Sequence, residues 1–398
     1  MQINSKFDGT NLAEIDNIKL GEIKFENSKG DFIDGMKLGK AFIESLNEFL
    51  SNNQKLSIMS NETGKTIEAC KKEVKETIHY CRYLHIPTLL GDEGNVKLRI
   101  PRMKKFDFTL LDPSLPIFTM FQSIFESIRN GHRVVISHNK NSPISSMTLS
   151  SDIFQKYSDT EFLLFDILQD QPINDIDELF ANSNIYSWGT PDDVRETQKV
   201  VEKNQVRWKI LGNGVCIVDD RSKLEIASNS LAGLSYNSIS NRGLRSQIYL
   251  VNDKDFLFFK NRVVEYLKRD IKHGYGINGD INYFNCKEDA DHSRESVKRL
   301  LENGFDYVEG LNEGVHLLVN QYGDEIGEMN HICGPVIAIM HYSNLSDAVN
   351  ISTKFKDRMF LNIFTDSFSK VQYINEQEGA NSIIFKDLED SSSLLKSL

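Results

Sequence analysis

Covalent catalysis needs a nucleophile, a base within hydrogen-bond reach of it, and donors aimed at the charge that develops. The residue types that could supply them are thinly spread here. Five cysteines, Cys70, Cys81, Cys216, Cys286 and Cys333, are odd in number and scattered, with no CxxC pair. That spacing suits free thiols in a reducing compartment better than a disulfide framework or a zinc site. His331 and Cys333 stand two apart with no third ligand nearby, so a loop histidine and a small buried thiol account for them better than a metal pair. Ser246 has no convergent His or Asp partner, which leaves a serine hydrolase without its triad.

Phosphate chemistry has two candidate places. Thr190-Pro191-Asp192-Asp193 reads as an N-cap, a proline at the first helical position and two acids in the first turn. A helix N-terminus of this kind can hold a phosphate. Asp192 and Asp193 already offset the helix dipole, however, and would repel a pyrophosphate unless they point away, so an ordinary capped helix is the simpler reading. Gly212-Asn213-Gly214 reads as a tight turn rather than a phosphate cradle, because its spacing fits neither a P-loop nor a complete dinucleotide fingerprint.

An alternation of strands and helices has to position these residues. From Ile117 the apolar residues Met120, Phe121, Ile124, Phe125 and Ile128 recur at helical spacing, Gly131 ends the run, and Val134-Val135-Ile136 follows as a strand. Strands over 161–165, 184–188 and 206–211 alternate with helices over 175–181 and 191–203. This implies right-handed βαβ units and a mostly parallel sheet whose ligand crevice lies at the strand C-termini. A second α/β set begins near Cys216-Ile217-Val218, with a helix over 223–234, a strand over 247–251, a helix over 256–272 and a strand over 334–342. The boundary falls near Lys209, giving lobes 1–208 and 209–398, with Gly212-Asn213-Gly214 as a flexible joint because glycine reaches positive φ without cost. Val96 to Pro101 alternates apolar and basic residues, as a partly exposed strand does. His79 and His85 fall on a helix over 62–84 or just past its end, as surface or helix-end residues.

At 398 residues the chain can bury a large core in two or more lobes. A formal net charge of -11 argues against a nucleic-acid partner, which would need Lys and Arg clustered on one face. Met103-Lys104-Lys105 and Lys268-Arg269 read as solvated faces. The first residues lack the apolar core of a signal peptide, and no uncharged apolar run approaches the ~18 residues of a membrane helix. A soluble cytoplasmic protein is the expectation.

Several stretches together resemble the aldehyde dehydrogenase superfamily between roughly Lys55 and Phe385. Asn61-Glu62-Thr63-Gly64-Lys65 resembles its Glu-Thr-Gly-Lys helix, and Leu111-Asp112-Pro113-Ser114-Leu115-Pro116 its proline-rich turn. Trp188-Gly189-Thr190 resembles its turn into the helix over the pyrophosphate, Asn241 to Val251 its nucleophile loop and strand, and Ile332-Cys333-Gly334-Pro335 its Gly-Pro turn. The Trp-Gly form is most similar to the acyl-CoA (fatty acid) reductase branch known from bacterial bioluminescence.

The resemblance implies an α/β fold of two Rossmann-like lobes around a central cleft. By descent it also implies NAD(P)-dependent oxidation of aldehydes or reduction of acyl thioesters, by a cysteine thiolate followed by hydride transfer. It further implies an assembly arm near 94–108 and a C-terminal strand that pairs with a neighbouring subunit, for which this sequence leaves only thirteen residues after Phe385. The family's positions, however, carry the wrong residues. The nucleophile position falls on Gly243, with no cysteine within twenty residues either side, and the base position on Lys209, 34 residues earlier. Ser114 stands for the oxyanion asparagine, Ser137 for the ribose lysine and His331 for the glutamate on the second ribose; Gly189, Thr190 and Gly212 are the remaining cofactor candidates. Loss of a nucleophile from a cooperating set costs on the order of 10⁶ in rate. The expectation is a catalytically inactive homologue, a scaffold or partner of an active paralogue or pathway enzyme, with NAD or NADP binding weak or absent. The alternative is a divergent active aldehyde dehydrogenase or acyl-CoA reductase with a different nucleophile, for which Cys333 is a candidate because the resemblance places its turn beside the cofactor.

Overall fold

The computed structural model describes residues 2–14, 32–85, 99–101, 106–129, 132–139, 141–156, 163–165, 184–190, 193, 206–210, 212–236, 245–311, 314–321, 326–356, 358–378 and 383–390. The chain divides into two compact units, one of Met1–Thr63 with Cys70–Ile210, the other of Gly64–Ala69 with Leu211–Leu398. The short excursion of Gly64–Ala69 is absent from a single boundary at 208/209.

The first unit contains the hairpin β1 (Gln2–Asn4) and β2 (Asn11–Glu14), the antiparallel pair β3 (Phe32–Asp34) and β4 (Arg99–Pro101), and a five-stranded sheet. That sheet comprises β5 (Phe106–Leu110), β6 (Arg133–Ser137), β7 (Leu163–Phe165), β8 (Asn184–Gly189) and β9 (Val206–Ile210), in the order β7-β6-β5-β8-β9, all parallel. Because β5 takes Phe106–Leu110 into the sheet, an arm near 94–108 has to end before Phe106.

Among the described residues the helices are α1 (Gly35–Ser51), α2 (Asn53–Thr63), α3 (Ile67–His85), α4 (Pro116–Arg129) and α5 (Ile144–Lys156). The apolar spacing read from Ile117 is a buried face: Ile117, Phe118, Met120, Phe121 and Ile124 are all enclosed, and Phe42 of α1 meets Phe121 edge-on at 5.0 Å. The single helix over 62–84 is in fact two helices. Gly64 has φ +73, a conformation a helix interior does not contain, and a Cβ there would lie 2.9 Å from the Phe284 carbonyl.

The second unit is built on a seven-stranded sheet of β10 (Asn213–Val218), β11 (Arg245–Asn252), β12 (Asp306–Tyr307), β13 (His316–Asn320), β14 (Val336–Tyr342), β15 (Arg358–Phe364) and β16 (Ile383–Lys386). Its order is β12-β13-β14-β11-β10-β15-β16, parallel throughout except for the β12–β13 pair. Strands β10 and β11 are enclosed along almost their whole length, as expected of parallel strands covered on both faces. One face packs Val215, Ile217, Ile248, Leu250, Ala338, Met340, Leu361 and Ile363 into a single core cluster.

The helices of this unit are α6 (Leu224–Asn229), α7 (Phe256–Asp270), α8 (Lys287–Glu302), α9 (Leu345–Ser352) and α10 (Phe368–Glu378). The helix expected over 223–234 breaks into a 3₁₀ turn, α6 and a π turn over Ala232–Tyr236. Hydroxyls cause the break: Ser228 and Ser230 bond back to the carbonyls of Leu224 and Ala227, competing with the helical ladder.

Within Gly212-Asn213-Gly214, read as a joint, Gly214 does not have φ in the left-handed region, and Asn213 and Gly214 already belong to β10 rather than to a turn. Gly214 is small because the Phe360 ring of β15 lies 2.0 Å from where a Cβ would sit. The expected helix over 175–181, nearly all of the helix over 191–203, residue 243 and the side chain of Lys209 lie outside the described residues. Among the described residues no helix is long and apolar enough to cross a membrane.

Candidate functional site

In the first unit the parallel sheet brings three turns to its C-terminal edge, where ligands bind in such sheets. These are 111–115 after β5, 138–143 after β6, and 190–193 after β8, so Ser114, Ser137, Gly189 and Thr190 are gathered at one edge. The first turn is closed by Asp112, whose Oδ1 accepts the N–H groups of Ser114 (2.7 Å) and Leu115 (3.1 Å) and the Ser114 hydroxyl. Ser114 is fully enclosed, with its hydroxyl turned into its own turn. Helix α4 then starts against Glu73, whose Oε1 accepts from Ile117 N and Phe118 N at 3.0 Å each.

After Ser137, the backbone oxygen of which accepts from Leu111 N, comes His138, its Nδ1 2.7 Å from the Ser146 hydroxyl. Burial pushes the His138 imidazole down to about 4, so it is neutral at physiological pH. The start of α5 has a carboxylate partner too. Glu62 accepts from Ile144 N at 2.7 Å and Ser145 N at 2.8 Å.

The third turn decides what this edge can hold. Asp193 Oδ2 accepts from both Thr190 N and Thr190 Oγ1 at 2.7 Å, and Asp193 N donates back to Thr190 Oγ1 at 3.4 Å. This is the reciprocal hydrogen-bond pattern of a capping box. The carboxylate lies over the turn: a Cβ at Gly189 would be 2.7 Å from Asp193 Oδ2. The backbone N–H of Thr190 is thereby taken by an anion of the chain itself. The indole of Trp188 donates to Ser123 Oγ of α4 at 2.9 Å.

In the second unit the comparable residues gather at the N-terminal edge, where β10, β11 and β14 begin. The turn Ile332-Cys333-Gly334 is clamped from three sides. Asn213 Nδ2 donates to Ile332 O at 2.7 Å, Gln247 Nε2 to Gly334 O at 2.6 Å, and Cys333 N to Ser296 Oγ at 3.2 Å. Gly334 has φ +80 and no room for a side chain, since a Cβ would lie 2.3 Å from Ser293 Oγ and 2.9 Å from the Phe284 ring. His331 and Cys333 are both buried. Among the described residues no group of three or more His, Cys, Asp or Glu could hold a metal ion.

The largest enclosed side chain at this edge is Arg245, the first residue of β11. Desolvation pulls its guanidinium down to about 10, against the electrostatic pull of Tyr275, Cys333 and Asp289, and it stays charged at neutral pH. Sequence reasoning passed over Arg245, Asn213 and Gln247. A long cation just ahead of the apolar run Ile248–Val251 was the available signal. Lys209, the supposed base, lies on β9 of the first unit in register with Trp188.

The architecture defines the fold of the aldehyde dehydrogenases. Neither protein-family models nor curated protein sequences give a match to the chain. Solved structures do. The aldehyde dehydrogenase KauB from Pseudomonas aeruginosa superposes with a TM-score of 0.81 at 14% identity, over 98% of this chain and 86% of that one. An NAD-dependent benzaldehyde dehydrogenase from Corynebacterium glutamicum gives 0.77 at 12% identity, over 100% and 92%. Lactaldehyde dehydrogenase from Escherichia coli gives 0.73 at 15%, over 90% and 79%.

Proposed function

We propose that this chain is a protein of the aldehyde dehydrogenase fold that does not perform thiol-dependent oxidoreduction of aldehydes or acyl thioesters, and that it serves as a scaffold or partner for an active paralogue or pathway enzyme. The observation that carries this reading is Gly243, a residue without a side chain at the position the resemblance gives to the nucleophile. The cofactor side points the same way. The residues there do not fit a dinucleotide: the Asp193 carboxylate holds the Thr190 N–H and hydroxyl, and a pyrophosphate would meet that carboxylate. Ser137 and His331 are buried residues without the charge of the groups they replace. A reducing, cytoplasmic setting belongs to the same reading, since the five cysteines are odd in number and scattered, with no CxxC pair.

Isothermal titration with NAD⁺, NADH and NADPH, beside NAD(P)H formation with short and long aldehydes and the reverse reaction with acyl-CoA, tests the proposal. No turnover and no tight binding are expected. Turnover, or a dissociation constant below ~10 µM, about -7 kcal/mol, overturns it. The second reading, a divergent aldehyde dehydrogenase or acyl-CoA reductase, is favoured by the burial of Arg245 within electrostatic reach of Cys333. Turnover that disappears in Cys333→Ser would establish that reading in place of the first.

A further inference from the structure

We propose that residues 387–390 form a strap over the sheet of the second unit that opens in one piece while the sheet stays folded, and that this strap controls access of thiol reagents to Cys216 beneath it.

The strap begins where strand pairing stops. Strands β15 and β16 run parallel from Phe360 beside Ile383 to Ile363 beside Lys386. The next carbonyl of β15, that of Phe364, is given instead to the chain after β10, accepting from Asp219 N at 3.1 Å and Asp220 N at 3.4 Å. Asp387 then takes φ +54, the one non-glycine among the described residues with positive φ. That conformation is costly for an L residue and turns the chain out of its extended path.

From there side chains replace the ladder. The carboxamide of Asn362 on β15 pairs with Leu388 as a strand backbone would. Leu388 N donates to Asn362 Oδ1, and Asn362 Nδ2 to Leu388 O, at 2.9 Å each. One carboxamide makes both bonds, so they are lost together. Asp387 N donates to Ile363 O at 3.0 Å, and the Asp387 carboxylate accepts from Thr365 N at 3.3 Å and meets the Lys223 ammonium at 3.2 Å. The Leu388 side chain, 7% exposed, is the apolar anchor. Beyond it the strap crosses the π turn over Ala232–Tyr236, where a Cβ at Gly233 would lie 2.8 Å from Glu389 O.

What lies below is polar. Tyr249, Cys216 and Asn362 stand in register across three neighbouring strands, all completely enclosed. The π turn covers the first, with Ser235 Oγ 2.9 Å from the Tyr249 hydroxyl. The strap covers the last, and Asn362 Nδ2 is also 3.7 Å from Cys216 Sγ. Cys216 therefore stands under the seam between the two covers. Burial pushes its thiol up to about 12 while the strap is closed, and water reaching it restores an ordinary thiol with more of the reactive thiolate. On opening, a carboxamide, a thiol and a phenol regain water, and the strap gives up one buried apolar side chain. Segments with few buried apolar contacts open locally at less than the global free energy.

The test is timed iodoacetamide labelling of the intact native protein, with each cysteine peptide quantified by mass spectrometry. A sulfur–carbon bond forms, the carbon–iodine bond breaks, iodide leaves and the thiol proton passes to solvent. Opening of so short a segment exposes little surface, so the Cys216 rate should stay flat in urea below the unfolding transition, whereas labelling through global unfolding climbs steeply. Leu388→Ala removes the apolar anchor and keeps both backbone bonds. It should speed Cys216 roughly tenfold and leave Cys333, and Cys70 and Cys81 of the first unit, unchanged. A Cys216 rate that climbs with urea as unfolding does, or one unchanged in a folded Leu388→Ala protein, would overturn the proposal. The urea series needs no variant, so it decides the matter even if Leu388→Ala fails to fold. Neither measurement depends on whether the chain binds a cofactor or turns over a substrate.

Discussion

Replacing Glu62 isolates one buried carboxyl group whose ionisation the fold resists. It accepts two backbone N–H groups at the start of α5, which favour the carboxylate, but burial outweighs them and pushes the group up from 4.5 to about 7. The sign follows from linkage. A carboxyl group with a raised folded value binds its proton more tightly in the native than in the unfolded chain, so its stabilisation is fully present below pH 4.5 and is lost as pH rises through 7. At about 1.4 kcal/mol per pH unit, the window is worth about 3 kcal/mol. Glu62→Gln keeps the shape and removes the titration. Both tryptophans, Trp188 and Trp208, lie on strands of the first unit, as Glu62 lies on its helix α2, so urea unfolding followed by tryptophan fluorescence reports on the right part of the chain. Between pH 5 and pH 8 the native protein should lose about 2.5 kcal/mol more than Glu62→Gln does. Glu62→Ala, which leaves both donors bare, should cost about 2–4 kcal/mol at pH 5. Equal pH dependence in the native protein and the Gln variant would refute the reasoning, because it would mean that the two N–H bonds hold the group ionised in both states.

Other substitutions probe close packing and the lost chemistry. Gly214→Ala drives a methyl group into the Phe360 ring and should destabilise the second unit by about 1–3 kcal/mol in calorimetry, with part of the loss recovered in a Gly214→Ala, Phe360→Leu double variant. Gly334→Ala combines φ +80 with a Cβ 2.3 Å from Ser293 Oγ, so a cost above about 2 kcal/mol is expected, and a melting temperature equal to that of the native protein would contradict it. Gly243→Cys should add an alkylatable thiol without NAD(P)H formation, since nucleophile, base, oxyanion donor and cofactor must be set within about 0.5 Å of productive geometry; clear turnover by this single variant would show an organised active site. Asp193→Ser frees the Thr190 N–H, and tighter NADH binding than in the native protein is the expected result of the titration.

Much of the fold was legible because parallel strands buried on both faces leave apolar runs, as in Ile248 to Val251, and because α4 repeats its apolar residues at helical spacing. The cap of α9 is local too: the Asn344 side chain accepts from Asp347 N three residues on. Where partners lie far apart in sequence, the reading failed. Gly212-Asn213-Gly214 looked like a joint because the constraint on Gly214 comes from Phe360, 146 residues later. The helix over 223–234 looked continuous because serine back-bonding leaves no periodicity signal. At the candidate site, Thr190 with Asp193 was legible as a cap, whereas the clamp of Asn213 and Gln247 on the turn before β14 joins three strands that no local window contains.

The excursion of Gly64–Ala69 bears on how this chain can be made and cut. Thr66 N donates to Asn282 Oδ1 across 216 residues, Ile67 N to the Ile277 carbonyl, and Tyr283 N to the carbonyl of Gly64. On the ribosome, six residues of the first unit's sequence therefore emerge long before the segment that satisfies them, and they wait without these partners until residues 277–283 have been synthesised. A fragment ending at Ile210 would carry that strip permanently unmatched, and a fragment starting at Leu211 would lack it. The two units are interleaved in sequence, so a protease nick between 210 and 212 should leave a non-covalent pair that co-purifies through residues 64–69.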